Sequence, residues 1–257
     1  MKKHITIFLL ALVLFTSCKK SFIELSNPNE VPVANAFKSE NDVLLAVNGA
    51  YTALRSGNNI GESSGLFTDE RSDDTGRDDA QSNAGEPFQF GDFSLLPSNT
   101  YLKAHWSNLY QAISRCNIVT ANIDKVTFSS NDTKLGYLAE VKFIRALMYF
   151  QLVRKWGPVP IVTVPLNSAN EVSEVTYRQP EAAVYKQIVA DLKDGLTSKL
   201  SNLQTGANAG RVSKAAINAL LGQVYLTMAS TLTEGRDENL VNANTYLTAA
   251  YNMRSFT

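Results

Sequence analysis

The sequence predicts an all-α fold of irregular helix pairs with long surface loops, and three observations carry that prediction. From Trp106 onward apolar residues recur at helical spacing, not in alternation. Two segments are apolar on two faces at once, a pattern that belongs to helices covered from both sides. The prolines fall between these segments and never inside them.

Before the helices comes an export signal. Lys2 and Lys3 precede an apolar run from Ile5 to Phe15, the charged start and apolar centre of a signal peptide. The run is too short to span a bilayer. Thr16 and Ser17 lead into Cys18, and this junction resembles the lipobox of bacterial lipoproteins, in which the cysteine is acylated and becomes the mature N-terminus. Residues 1–17 are therefore expected as signal peptide, Cys18 as the lipid-attachment site, and residues 18–36 as a tether kept irregular by Pro28 and Pro32. Residues 37–257 are left for the helical domain.

Its first helix should open at Ser39, which with Asp42 three places later forms a capping-box pattern. Leu44, Val47, Tyr51 and Leu54 then share one face, and Gly57 ends the helix. From Asn58 to Thr100 periodicity disappears, and a stretch that long commonly marks a functional surface. Trp106 to Asp124 shows one stripe with Trp106, Leu109, Tyr110, Ile113 and Asn117, and a second with Ala112, Cys116, Val119 and Ile123. Tyr137 to Trp156 repeats the arrangement, with Tyr137, Val141, Ile144, Met148 and Leu152 opposite Ala139, Phe143, Ala146, Phe150 and Val153. Pro158, Pro160 and Pro165 then enforce an extended passage. Pro180 at the N1 position opens a helix that buries Val184, Ile188 and Leu192 and ends near Gly195. Ser213 caps the next, in which Ile217, Leu220, Leu221, Val224, Tyr225 and Met228 form one broad stripe. A last helix spans Asn242 to Met253.

The inventory excludes several chemistries. The chain carries 24 basic and 24 acidic residues; losing Lys2 and Lys3 leaves 22 against 24, a net charge of −2, which gives no basic face for nucleic acid. With Cys18 acylated, Cys116 has no disulfide partner, and its apolar row makes it a small buried hydrophobe. His4 leaves with the leader, so a histidine-based centre would rest on His105 alone; no metal or cofactor is expected. Gly61, Glu62, Ser63, Ser64 and Gly65 satisfy G-x-S-x-G, but that elbow needs a strand before it and a helix after it, whereas a helix precedes and a polar loop follows. No enzymatic activity is expected. Binding residues are sought instead in the irregular segment, where Phe67, Phe88 and Phe90 offer stacking faces or pin the loop, and Asp73, Asp74 and Arg77 offer hydrogen bonds. Trp106 and Trp156 read as packing residues of the helical frame.

Parts of the tetratricopeptide signature are present: Trp106 and Leu109 supply W-x2-L, Ala146 and Phe150 supply A-x3-F with Pro158 eight places on, and Leu221, Gly222 and Tyr225 supply L-G-x2-Y. The repeats are irregular, because Trp106 and Ala146 stand further apart than one unit allows. In order along the chain, NDVLLAVNGAYTALRS, then Trp106, Tyr110, Ile113 and Asn117, then Arg145, Ala146, Tyr149, Phe150, Gly157 and Pro160, then Arg211, Ser213, Lys214, Ala216, Ala219 and Tyr225, resemble the SusD/RagB family of outer-membrane nutrient-binding lipoproteins. The resemblance implies the N-terminal half of a typical member, since the familiar C-terminal half is missing. It further implies a cell-surface protein, anchored in the outer membrane, that captures an oligosaccharide and passes it to a SusC-like TonB-dependent transporter. Peptide capture, or a tetratricopeptide scaffold that binds only protein, are the alternatives.

Overall fold

The computed structural model of the chain describes residues 36–57, 59, 62–75 and 85–254, with backbone only at 62–64. The leader, Cys18, nearly all of the tether and Arg77 lie outside these residues. Among the described residues every regular element is a helix, and extended backbone contributes one isolated bridge, antiparallel, between Val159 and Gln179.

Helix α1 (Glu40–Leu54) opens on the expected capping box: the Ser39 hydroxyl accepts from the Asp42 N–H at 3.3 Å, and the Asp42 carboxylate accepts from the Ser39 N–H at 2.8 Å. Such a cap stabilises a helix by about 1 kcal/mol. Its buried face runs through Val43, Val47, Ala50 and Ala53, so Leu44 and Tyr51 flank the core. The predicted row was rotated by part of a turn. The helix also stops at Leu54, ahead of Gly57.

The segment predicted to be irregular contains two 3₁₀ turns, at Glu62–Phe67 and Asp69–Arg71, and the one-turn helix α2 (Phe88–Gly91). Helix α3 (Thr100–Asn122) begins six residues before Trp106, because Asn99 caps it by accepting from the N–H groups of Tyr101 and Leu102 at 3.0 and 3.2 Å. Helix α4 (Asn131–Trp156) is the centre of the molecule. Val141, Ile144, Met148 and Leu152 on one side, and Ala139, Ala146, Phe150 and Val153 on the other, are all buried. Gly157, with φ +65°, then turns the chain out of the helix, and a Cβ there would sit 3.0 Å from the Glu181 carboxylate.

Residues 158–166 cross the helices as an extended strap. A short helix that the sequence does not announce, α5 (Ala169–Val175), follows, with no buried residue to give it a periodic signature. Helix α6 (Glu181–Leu196) starts one residue later than expected: Pro180 has ψ 147° and stands at the N-cap, not at N1. Helix α7 (Lys214–Thr231) is capped by Ser213 as predicted, and α8 (Arg236–Asn252) begins six residues earlier than predicted. Chain neighbours are spatial neighbours, with α1 on α3 and α4, α3 on α4, α4 on α6, α6 on α7, and α7 on α8. One apolar core runs through the stack from Leu109 and Ile113 to Val224 and Ala243.

Candidate functional site

The strap is held by side chains reaching its carbonyls, not by a β-ladder. On α3, the Tyr110 hydroxyl donates to the Pro160 carbonyl at 2.8 Å, and the Asn117 amide donates to Val162 at 3.0 Å and Val164 at 3.3 Å. From α4, the Tyr149 hydroxyl donates to the Val162 carbonyl at 2.8 Å and accepts from the Val162 N–H at 2.7 Å. Arg145 donates to the Thr163 carbonyl at 3.2 Å and to Asn117 Oδ1 at 2.8 Å, which fixes the amide's orientation. Behind it, Asp191 of α6 accepts two Arg145 hydrogen bonds at 2.8 and 2.7 Å, and both side chains are only 5% exposed. Burial works against the Arg145 charge, but the Asp191 carboxylate outweighs it and raises the guanidinium's pKa. At the strap's far end Gln179 N–H donates to the Val159 carbonyl at 3.0 Å, closing the excursion.

This arrangement gives the sequence blocks a physical meaning. Tyr110, Asn117, Arg145 and Tyr149 are mooring residues, and a groove of about 390 Å³ lies between the strap and the Trp106–Asn117 face of α3. Trp106 is half-buried, packed edge-on against Trp156 at 5.2 Å and tilted over Tyr110 at 5.0 Å. Cys116 is wholly buried, and burial pushes its thiol up to about 12, where it is inert.

The loop cluster before α3 holds the other candidates. Phe90 is fully buried and presents no face outward. Phe67 is half-buried, stacked on His105 at 4.3 Å and edge-on to Phe90 at 4.9 Å. The Lys155 ammonium lies 5.2 Å from the Phe67 ring centroid and 2.9 Å from His105 Nε2, and burial followed by the nearby Arg154 charge lowers its pKa to about 8. Phe88, half-buried, opens α2. Phe67 and Phe90 are thus brought together as a clasp on α3 and α4, while Asp73 and Asp74 stand exposed on the bend after the second 3₁₀ turn. Arg77 and Gly61 fall outside the described residues, and the 62–67 backbone is a 3₁₀ turn where a nucleophile elbow would need a strand and a sharp turn. Among the described residues no group of histidine, cysteine and carboxylate side chains is placed to hold a metal.

One residue outside the candidate set stands out. Phe93 is 68% exposed and adopts φ +56°, the left-handed region that non-glycine residues rarely occupy. The Arg71 guanidinium lies 5.4 Å from its ring centroid. The sequence offers only an aromatic residue in a polar loop; the backbone angle and the exposure are what single it out.

Comparison with known proteins adds the following. A family model, SusD-like_3, described as "Starch-binding associating with outer membrane", matches residues 21–226. SusD-like protein P25 of Formosa agariphila is 28% identical over 232 residues, covering 87% of this chain and 43% of that protein. A SusD-like protein of Bacteroides ovatus is 28% identical over 153 residues, covering 58% and 27% respectively. Among solved structures, a laminarin-binding SusD-like protein superposes with a TM-score of 0.70 at 27% identity, covering 82% of this chain and 44% of that one. A SusD superfamily protein of Parabacteroides distasonis gives 0.72 at 26% identity, covering 85% and 46%. The chain spans less than half the length of these relatives. The ordered blocks, the stacked helix pairs and a family match across most of the sequence lead to one assignment: this chain belongs to the SusD-like family.

Proposed function

We propose that the protein captures an oligosaccharide at the cell surface and passes it to a SusC-like TonB-dependent transporter, without making or breaking a bond. The lipid anchor at Cys18 and an outer-membrane location facing outward belong to the same reading. The likeness to a laminarin-binding SusD-like protein supports glycan as the ligand class. The observation that carries the reading is Phe93: an exposed aromatic ring, fixed in a strained conformation, beside Arg71, which in sequence stands just ahead of Asp73, Asp74 and Arg77. Backbone strain of this kind persists where the surroundings enforce it, and it concentrates at binding sites. A sugar ring stacks on such a face while guanidinium and carboxylate groups meet its hydroxyls, and none of this requires a shifted pKa.

Titration calorimetry with laminarin, malto- and xyloglucan oligosaccharides tests it. Binding of at least one glycan is expected, about tenfold weaker in Phe93→Ala and retained in Phe93→Trp. No heat with any glycan, or an unchanged affinity in Phe93→Ala, removes the assignment.

A further inference from the structure

A second concavity opens near the start of α4, where that helix meets α1 and the 199–211 loop, and it encloses about 370 Å³. We infer that this pocket is a second oligosaccharide-binding site, taking a short uncharged stretch of glycan, distinct from the Phe93 surface. The inference rests on the reading that the chain binds glycans. The volume lies within the range of small-ligand sites.

The floor is built and rigid. Glu140, 4% exposed, accepts from the Tyr51 hydroxyl at 2.6 Å and pairs with Arg211 at 2.9 Å. Arg211 also donates to Asn48 Oδ1 at 2.9 Å and lies 5.2 Å from the Tyr51 ring centroid, while the Tyr51 hydroxyl accepts from the Val212 N–H at 2.9 Å. Every charge in the pocket is therefore matched, since at the rim Lys199 pairs with Asp132 at 3.4 Å. A charged ligand would meet no surplus of the opposite sign, whereas a polyol needs none. What the lining does offer is neutral hydrogen-bonding capacity, in the Thr133 hydroxyl and the Asn208 amide. The half-buried Tyr137 ring adds an aromatic wall.

Gly136 points the same way. A glycine inside a helix costs about 1 kcal/mol relative to alanine, so its presence calls for a reason. Packing does not supply one, because a Cβ at 136 would meet only Leu200 Cδ2, at an ordinary 3.7 Å. The bare backbone leaves one wall of the pocket open to close approach by a ligand.

The same glycan panel is titrated into the wild-type chain, Phe93→Ala, Gly136→Leu and Asn208→Ala. Phe93→Ala is expected to keep a residual binding event, and adding either Gly136→Leu or Asn208→Ala to it should weaken that event about tenfold. Gly136→Leu should melt at or above the wild-type temperature; if it melts lower, Asn208→Ala, on an exposed turn, decides alone. Glycan binding that neither pocket substitution alters overturns this inference and leaves the proposed function standing. Absence of glycan binding by the wild-type chain overturns both.

Discussion

At the scale of single residues, the Arg145–Asp191 pair governs the strap. Both groups are buried: Asp191 is matched by Arg145, and Arg145 by Asp191, Asn117 Oδ1 and the Thr163 carbonyl. Removing one partner of a buried pair strands the other, at a cost of about 3–5 kcal/mol. Asp191→Ala should therefore shift the urea midpoint by an equivalent amount, and the double change Arg145→Met with Asp191→Leu should recover part of it. A loss under about 1 kcal/mol would mean that water reaches the guanidinium. Arg145 and Asn117 were readable as members of ordered blocks. Asp191 was not, because it lies 46 residues away on another helix and no local pattern links the two. Phe93 escaped for a similar reason: a sequence shows an aromatic residue but not the sign of its φ angle.

At the scale of elements, the caps were legible and several helix starts were not. Ser39 and Ser213 act on backbone groups within three residues, so their signal is local. The first turn of α8 is wholly polar and that of α3 mixes Thr100 and Lys103 with Tyr101 and Leu102, both ahead of the point where apolar spacing begins, and α5 has no buried residue. The α7–α8 contact was legible in part, through the L-G-x2-Y element. Its glycine, Gly222, sits where a Cβ would collide with the Leu247 side chain and come within 3.1 Å of the Leu247 nitrogen. Beside it Tyr225 stacks on Tyr246 with 5.6 Å between centroids. Gly222→Ala should consequently destabilise the chain by about 1–3 kcal/mol, despite alanine's better helix propensity, as read from denaturant unfolding. A stabilised variant would show that α8 can shift aside without loss.

At the scale of the whole molecule, fold class and family followed from periodicity and ordered blocks, both properties spread over the chain. Ligand choice does not spread in that way: it resides in a few loop side chains whose positions depend on the framework beneath them. The proposed anchor is the one whole-molecule property that hangs on a single residue. Cys18→Ala expressed in a bacterium with lipoprotein export should move the protein from the membrane fraction to the soluble fraction with its glycan binding intact; persistence in the membrane fraction would refute acylation at that site. A different consequence follows from the way the strap is tied. Its partners grip carbonyl oxygens and a single N–H, groups that every amino acid but proline supplies in full, so Tyr110, Asn117, Arg145 and Tyr149 set the strap's course without reading its side chains. Val162, Val164 and Leu166, which line the groove and stand outside the apolar core, are thereby released from holding the fold, and one chassis can present many different walls to the groove.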